Sequence, residues 1–314
     1  MIGKPTAGDD KPVRPAQWPA AVVLIGVAGA WGVSFAVVKA VVGDVSPSRL
    51  VGWRFVVATF TLLMLRPRVL YELDRRTVTR GAVLGALLGL GFVLCTAGMQ
   101  TTSVSISAFV IGTTVVLAPL IAWISLGRRL TTRTAAAVCL AFVGLALITV
   151  RHLAVGPGAL LILTAAVFWA AHLVALERWS CVGRLFGLTL VQLAASAAVA
   201  VCCQLLLDDG QGLWSPMSAS AAVGIIFLGA VATGAAFIAL TWAQSRLDAT
   251  TTAVILTVEP LVGAALGIAL GDAWTAATLA GVIAVLTALW LVARPGPKNQ
   301  SVRGRVRLGL SPSI

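Results

Sequence analysis

Apolar residues run along this chain in long unbroken blocks instead of alternating with polar ones. Ten blocks stand out: Trp18–Val38, Pro47–Leu65, Gly81–Met99, Ser103–Leu126, Thr134–Val150, Pro157–Leu176, Leu185–Leu207, Ala219–Ala243, Ala249–Leu270 and Trp274–Val292. A helix needs about 20 apolar residues to cross some 30 Å of hydrocarbon. Most of the blocks meet that length, and the fifth is short. Membrane strands would show polar and apolar positions alternating over about ten residues; continuous runs rich in Ala and Leu predict helices. The pattern predicts an all-α integral membrane protein with ten transmembrane helices.

The break at Gly156-Pro157-Gly158 divides the blocks five and five, and the halves match each other. A slide of 144 positions pairs Gln100 with Gln244, Val110 with Val254, Thr113 with Thr257 and Gly127 with Gly271. A slide of 138 pairs Trp31 with Trp169, Lys39 with Glu177 and Arg54 with Gln192. Because five is odd, the second half starts on the opposite side of the membrane. This predicts two inverted five-helix repeats, at 18–152 and 153–293, an arrangement that places a site between the repeats near the midplane. Residues 1–17 and 294–314 lack apolar periodicity and are rich in Pro, Gly, Ser and basic residues, which predicts disordered basic tails.

Composition agrees with a bilayer as solvent. The 314 residues are 59% hydrophobic and 11% charged, with a mean hydropathy of +0.99. A soluble domain carries about 25% charged residues. The net charge of +12 does not call for nucleic acid, because its placement follows topology. All but Lys39, Arg49, Arg54 and Arg151 of the 23 Lys and Arg fall in the tails or in loops that share one side. Cytoplasmic loops are the basic ones, so both termini are expected in the cytoplasm and the chain in the inner (cell) membrane. A cleaved signal peptide ending near Ala28-Gly29-Ala30 is the rival reading of the N-terminus; the apolar run continues through it to Val38. The five cysteines show no metal or CxxC spacing and read as packing residues.

Polar residues inside the blocks are the candidates for function. Glu259 and Pro260 sit midway along the ninth block. A carboxyl at that depth must face protein or water. It serves either as the proton acceptor of a coupled cycle or as a structural group beside the kink. Proline lacks an N–H and pushes the carbonyl four residues back, that of Leu256, out of the helical ladder. Such a break is tolerated only against protein or a wet cavity. Pro119, in the fourth block, is the matching break, and the two prolines are the expected hinges. Arg54 lies about 10 Å into the second block by helical rise; it either binds an anion, pairs with Glu259 or snorkels outward. His172 is a candidate proton relay or hydrogen-bonding group. Trp31 and Trp169 would give a cavity flat walls, with Gln100, Gln244, Thr113 and Thr257 as further substrate-contacting candidates alongside Ser107 and Thr114. Glycines 81, 85 and 89, and 263, 267 and 271, form stripes that let helices approach closely. There is no Walker A loop, HExxH or GxSxG, so ATP hydrolysis within this chain is excluded, and no catalytic residue, cofactor or metal is expected.

The stretches AWGVSFAVVKA (30–40), SPSRLVGWRF (46–55), VFWAAHLVALER (167–178) and VEPLVGAALGIALGDAWT (258–275) resemble the EamA-type permeases of the drug/metabolite transporter superfamily. The resemblance covers about 18–293 and rests on the order and spacing of its motifs. It implies a secondary carrier that exports amino acids, other metabolites or drugs. It also implies a central cavity walled by both halves, with the fifth and tenth helices peripheral. Where the family has Leu-Gly-Glu at the end of the fourth helix, this chain has LGRRLT (126–131) and LGDAWT (270–275), so Arg128 reverses an acid that Asp272 keeps. The expected function is gradient-driven export of a small molecule by alternating access, with protons as the candidate coupling ion. An importer or facilitator of the same fold, a membrane-embedded lipid enzyme and a non-transporting scaffold are the rivals.

Overall fold

A computed structural model describes residues 17–102, 104–127, 130–149, 156–180, 184–207, 212–269 and 275–293. The expected tails, Arg128, Asp272 and Gly271 lie outside the described residues. Thirteen α-helices follow in order. The first half holds α1 (Gln17–Val41), α2 (Pro47–Leu65), α3 (Arg75–Thr101), α4 (Val104–Gly112), α5 (Thr114–Leu126) and α6 (Thr132–Thr149). The second holds α7 (Pro157–Trp179), α8 (Leu185–Leu207), α9 (Ala219–Gly229), α10 (Ala236–Gln244), α11 (Ala249–Leu256), α12 (Val258–Ala269) and α13 (Ala276–Ala293). Seven helical stretches among the described residues are long and apolar enough to cross a membrane, and three shorter apolar ones, Thr132–Ile148, Ala249–Val262 and Ala276–Val292, accompany them.

Local sequence sets the ends. Pro47 and Pro157 open α2 and α7 at positions where a missing N–H is harmless. Asp74 caps α3 by accepting from the amide of Thr77, 2.8 Å away. Hydrogen bonds from the Thr77 side chain and amide, with Arg184 at 2.9 Å from the carboxylate, hold the Asp74 acid below its ordinary range. Ser218 and Asp248 cap α9 and α11 in the same way. Gly127, at φ +64°, ends α5 in the left-handed conformation that suits glycine.

Two long helices are interrupted, and the interruptions match. α4 stops and α5 starts around Thr113; α11 stops and α12 starts around Thr257. The Thr113 hydroxyl donates to the Val110 carbonyl at 2.6 Å, and the Thr257 hydroxyl to Val254 at 2.6 Å. Each amide also bends to the carbonyl three residues back, at 3.2 Å in both cases. The breaks are therefore a repeat-mate pair 144 positions apart. This corrects the expectation that Pro119 is the first half's break. Pro119 lies inside α5 without ending it, and the ladder parts six residues earlier, where a hydroxyl replaces the helical partner. Pro260 does sit one turn after its break, because its ring excludes the Leu256 carbonyl from the ladder.

The halves pack reciprocally. α3 lies against α7 and α8, while the α9–α10 segment lies against α1 and α2. α2 packs on α8 and α6 on α13. Small residues allow these approaches. A Cβ at Gly85 would stand 2.5 Å from Ala195 Cβ, and one at Gly229 would stand 2.5 Å from Val57 Cβ. Gly85 and Gly229 are mates by the 144 slide; Val57 and Ala195 are mates by the 138 slide. At the α6–α13 crossing, Gly144 and Gly281 each meet the other's carbonyl. The surface carries Phe60, Met64, Ile124, Leu206, Val223, Ile226 and Trp290, all exposed and apolar, as a lipid-facing wall requires. The core between the helices holds Leu24, Phe55, Leu62, Leu84, Leu193 and Phe237.

Candidate functional site

Where the two halves meet, a void of about 1040 Å³, its open mouth included, is lined by α1, α2, α3, α4, α5, α7, α10, α11 and α12. Its walls are mostly apolar and aromatic. Trp31 meets Phe237 at a tilt of 45° with ring centroids 5.6 Å apart, and Phe92 meets Trp169 edge-on at 5.0 Å. Phe92 and Phe237 lie 6.4 Å apart and join the two pairs. Rings with rigid faces give large contact area at little conformational cost. Into this wall project Arg54, Glu259, His172, Ser34, Thr96 and Thr257.

Arg54 is 4% exposed, so it neither snorkels nor reaches bulk water. Its Nε donates to the Thr233 hydroxyl at 2.5 Å, an Nη to the Ala232 carbonyl at 3.4 Å, and its guanidinium lies 4.6 Å from the Phe92 ring centroid. The acceptor carbonyl exists because residues 230–235 form a π-helical turn between α9 and α10. There the Ala236 amide bonds to Val231 and Thr233, bypassing Ala232. The freed Ala232 carbonyl accepts the Trp31 indole N–H at 2.7 Å as well. Single π turns of this kind recur at functional sites. The sequence AVATGA, with its small side chains and Gly234, permits the widened turn but does not announce it.

Glu259 opens α12 in the first turn, where the helix dipole favours a negative group. α1 presses close at this point: a Cβ at Gly32 would fall 2.7 Å from the Glu259 carbonyl oxygen. Arg54 and Glu259 line the same cavity and are near enough to interact electrostatically, yet they form no ion pair. His172 is 2% exposed. Its Nε2 meets the Gln192 amide oxygen at 2.8 Å, and the Gln192 amide nitrogen donates to Thr241, 3.3 Å away. Thr189 donates to the same hydroxyl at 3.1 Å. This buried polar chain ties α7, α8 and α10 together and holds the imidazole at the cavity wall.

Trp31, Arg54, Trp169, His172, Thr257, Glu259 and Pro260 thus come together in one cavity. Five expected residues, Gln100, Ser107, Thr113, Pro119 and Gln244, do not line it. Gln100 is exposed at the end of α3. Gln244 is buried away from the cavity and donates to the Leu173 carbonyl at 3.0 Å. Thr113 makes the α4–α5 break, leaving its neighbour Thr114 to line the void. Pro119 lines a separate polar cleft with Glu177, Asp248 and Thr131. The sequence reading missed Phe92 and Phe237, which nothing distinguishes from other aromatics in an apolar run. Among the described residues no group of three His, Cys, Asp or Glu is placed to hold a metal.

A family model described as the EamA-like transporter family matches residues 18–150 and 156–294. An "Uncharacterized transporter" of Archaeoglobus fulgidus is 29% identical over 154 residues, 49% of this chain and 47% of the relative. "Uncharacterized transporter YyaM" of Bacillus subtilis is 28% identical over 162 residues, 48% of this chain and 53% of the relative. The matches span about half the length of these curated relatives. A crystal structure of a protein only 18% identical superposes with a TM-score of 0.72, covering 93% of this chain and 99% of that one, so the fold is shared.

Proposed function

The chain belongs to the EamA-like transporter family, within the drug/metabolite transporter superfamily, and is a multi-pass membrane transporter; from that premise we propose that it is a secondary carrier that exports small metabolites such as amino acids or drugs by alternating access. One observation carries this reading. The cavity lies between the halves, holds Arg54 and Glu259 away from lipid, and abuts helices interrupted at Thr113 and Thr257. A charge in hydrocarbon is tolerated when it faces protein or water, and it marks a pathway.

In this reading ten spans form two inverted five-helix units, about 18–152 and 153–293, the three shorter apolar helices completing the seven longer ones. The two family-model matches and the reciprocal packing of the halves support it. Both termini face the cytoplasm, and the protein resides in the inner (cell) membrane, with a proton gradient as the driving force. Glu259 takes up and releases the coupling proton, while Arg54 and the aromatic wall orient the cargo. Comparing the extracellular metabolites of overexpressing and deletion cells, without preselected compounds, identifies the cargo and the sign of net flux.

Liposomes reconstituted with the purified protein then test the coupling. Glu259→Gln keeps the size and polarity of the side chain but cannot lose a proton. We expect it to fold normally and to lose pH-gradient-driven transport. Transport by this variant equal to that of the parent across pH 5 to 8 would make Glu259 structural.

A further inference from the structure

We infer that Trp31 and Trp169 are the two arms of a reciprocal latch, each indole N–H holding a backbone carbonyl of the other half's third helix in one of two access states. The inference rests on the alternating-access reading above. The two indoles are repeat-mates, yet the structure treats them unequally. Trp31 donates at 2.7 Å to the Ala232 carbonyl that the π turn releases. The Trp169 indole nitrogen is buried and has no partner. A buried donor left unpaired is unfavourable, so its position needs a reason.

The reason lies in what it faces. Trp169 is pressed onto α3: a Cβ at Gly91 would stand 2.5 Å from its Nε1. The indole nitrogen therefore lies against α3 where that helix carries no side chain. By the 144 slide, which Gly85 and Gly229 obey in their packing, α3 corresponds to α9–α10 and Leu88 corresponds to Ala232. Leu88 lies one turn before Gly91. α3 is regular α-helix throughout, so the Leu88 carbonyl is engaged by the amide four residues on. By this correspondence the Leu88 carbonyl is the counterpart acceptor for Trp169, and here it is occupied within the helix.

The rest of the molecule is unequal in the same sense. α11 packs on both α5 and α7, and the Ala249 amide donates to Glu177 at 3.0 Å, which closes that end. Among the described residues α4, the counterpart of α11, makes only a sparse contact with α12 and no comparable one with α1. The helices are thus packed more closely at the α11 end of the cavity than at the α4 end, and we take the first as the closed side. Inverted repeats reach the opposite state by exchanging conformations. In that exchange residues 86–91 of α3, which include Gly89 and Gly91, take the π turn, and residues 230–235 return to α-helix. The Leu88 carbonyl then becomes available to Trp169, while the Ala232 carbonyl is reclaimed from Trp31.

Trp31→Phe and Trp169→Phe keep the ring and remove only the N–H, so the latch predicts effects of opposite sign. The native cysteines are replaced, and a single reporter is placed at Ala108→Cys in α4 or Ala253→Cys in α11, both on the cavity wall. Proteoliposomes are labelled from each face with a membrane-impermeant thiosulfonate. We expect Trp31→Phe to slow labelling at position 108 about fivefold, the worth of one hydrogen bond, and to speed labelling at 253 from the opposite face. Trp169→Phe should do the reverse without lowering the unfolding temperature, and the double variant should return toward the parent. Shifts of the same sign, or no shift while the two reporters still label from opposite faces, would overturn the latch alone. Failure of position 253 to label from the second face in every variant would overturn alternating access and the latch with it.

Discussion

Arg54 illustrates how a cation is kept within an apolar interior. Its charge is spread over a ring face from α3 and a hydroxyl and a carbonyl from the π turn at 230–235. The fork of the guanidinium is what allows the three contacts at once. Arg54→Lys keeps the charge but cannot reach Thr233 and Ala232 while lying over Phe92. Hydrogen bonds to charged groups contribute about 2 kcal/mol, so we expect a loss of that order in thermal unfolding in detergent, together with reduced transport. Unchanged stability would mean that the fork is dispensable. That Arg54 and Glu259 are charged residues within the second and ninth runs is readable from sequence, but that Arg54 is buried and does not snorkel is not. Arg54's partners are not, because Thr233 lies 179 positions away.

At the scale of elements, interruption and close approach do the positioning. The breaks at Thr113 and Thr257 are the same local device used twice: a threonine hydroxyl substitutes for a helical amide. The proline is the visible sign in one half and a false one in the other, since a proline within α5 is accommodated without ending the helix. The glycine contacts are likewise paired. Gly85→Val puts a branched side chain where Ala195 already stands, and Gly229→Val does so against Val57. Overpacking of this kind costs about 1–3 kcal/mol. The two variants should lower the unfolding temperature by similar amounts, and a large difference between them would argue against equivalent interfaces. Glycine spacing on α3 foretold close packing, but only the assembled helices identify α8 as the neighbour.

For the whole molecule, the basic residues and the proposed inversion of the halves make a joint prediction. A reporter fused to the C-terminus should be active only in the cytoplasm, and one inserted in the 212–218 loop, between α8 and α9, only outside it. The reverse result would reject the proposed orientation and exchange which face the α4 end opens to. The charge rule is an insertion effect, set loop by loop as the chain enters the bilayer, and this is why it can be applied before any fold is known.

The sequence by itself determined the solvent, the approximate spans and the division into halves, because hydrocarbon permits few backbone arrangements and apolar length records them directly. It also singled out Glu259, Arg54, Trp31, Trp169 and His172 as polar or bulky residues within apolar runs. The tertiary structure decided which of them meet, that Gln100, Gln244, Thr113 and Pro119 stand apart, and that a π turn at 230–235 supplies the carbonyl the first tryptophan holds. Those outcomes depend on how each helix is rotated and how near its neighbour comes, and in a chain of uniformly apolar helices composition is nearly silent about rotation.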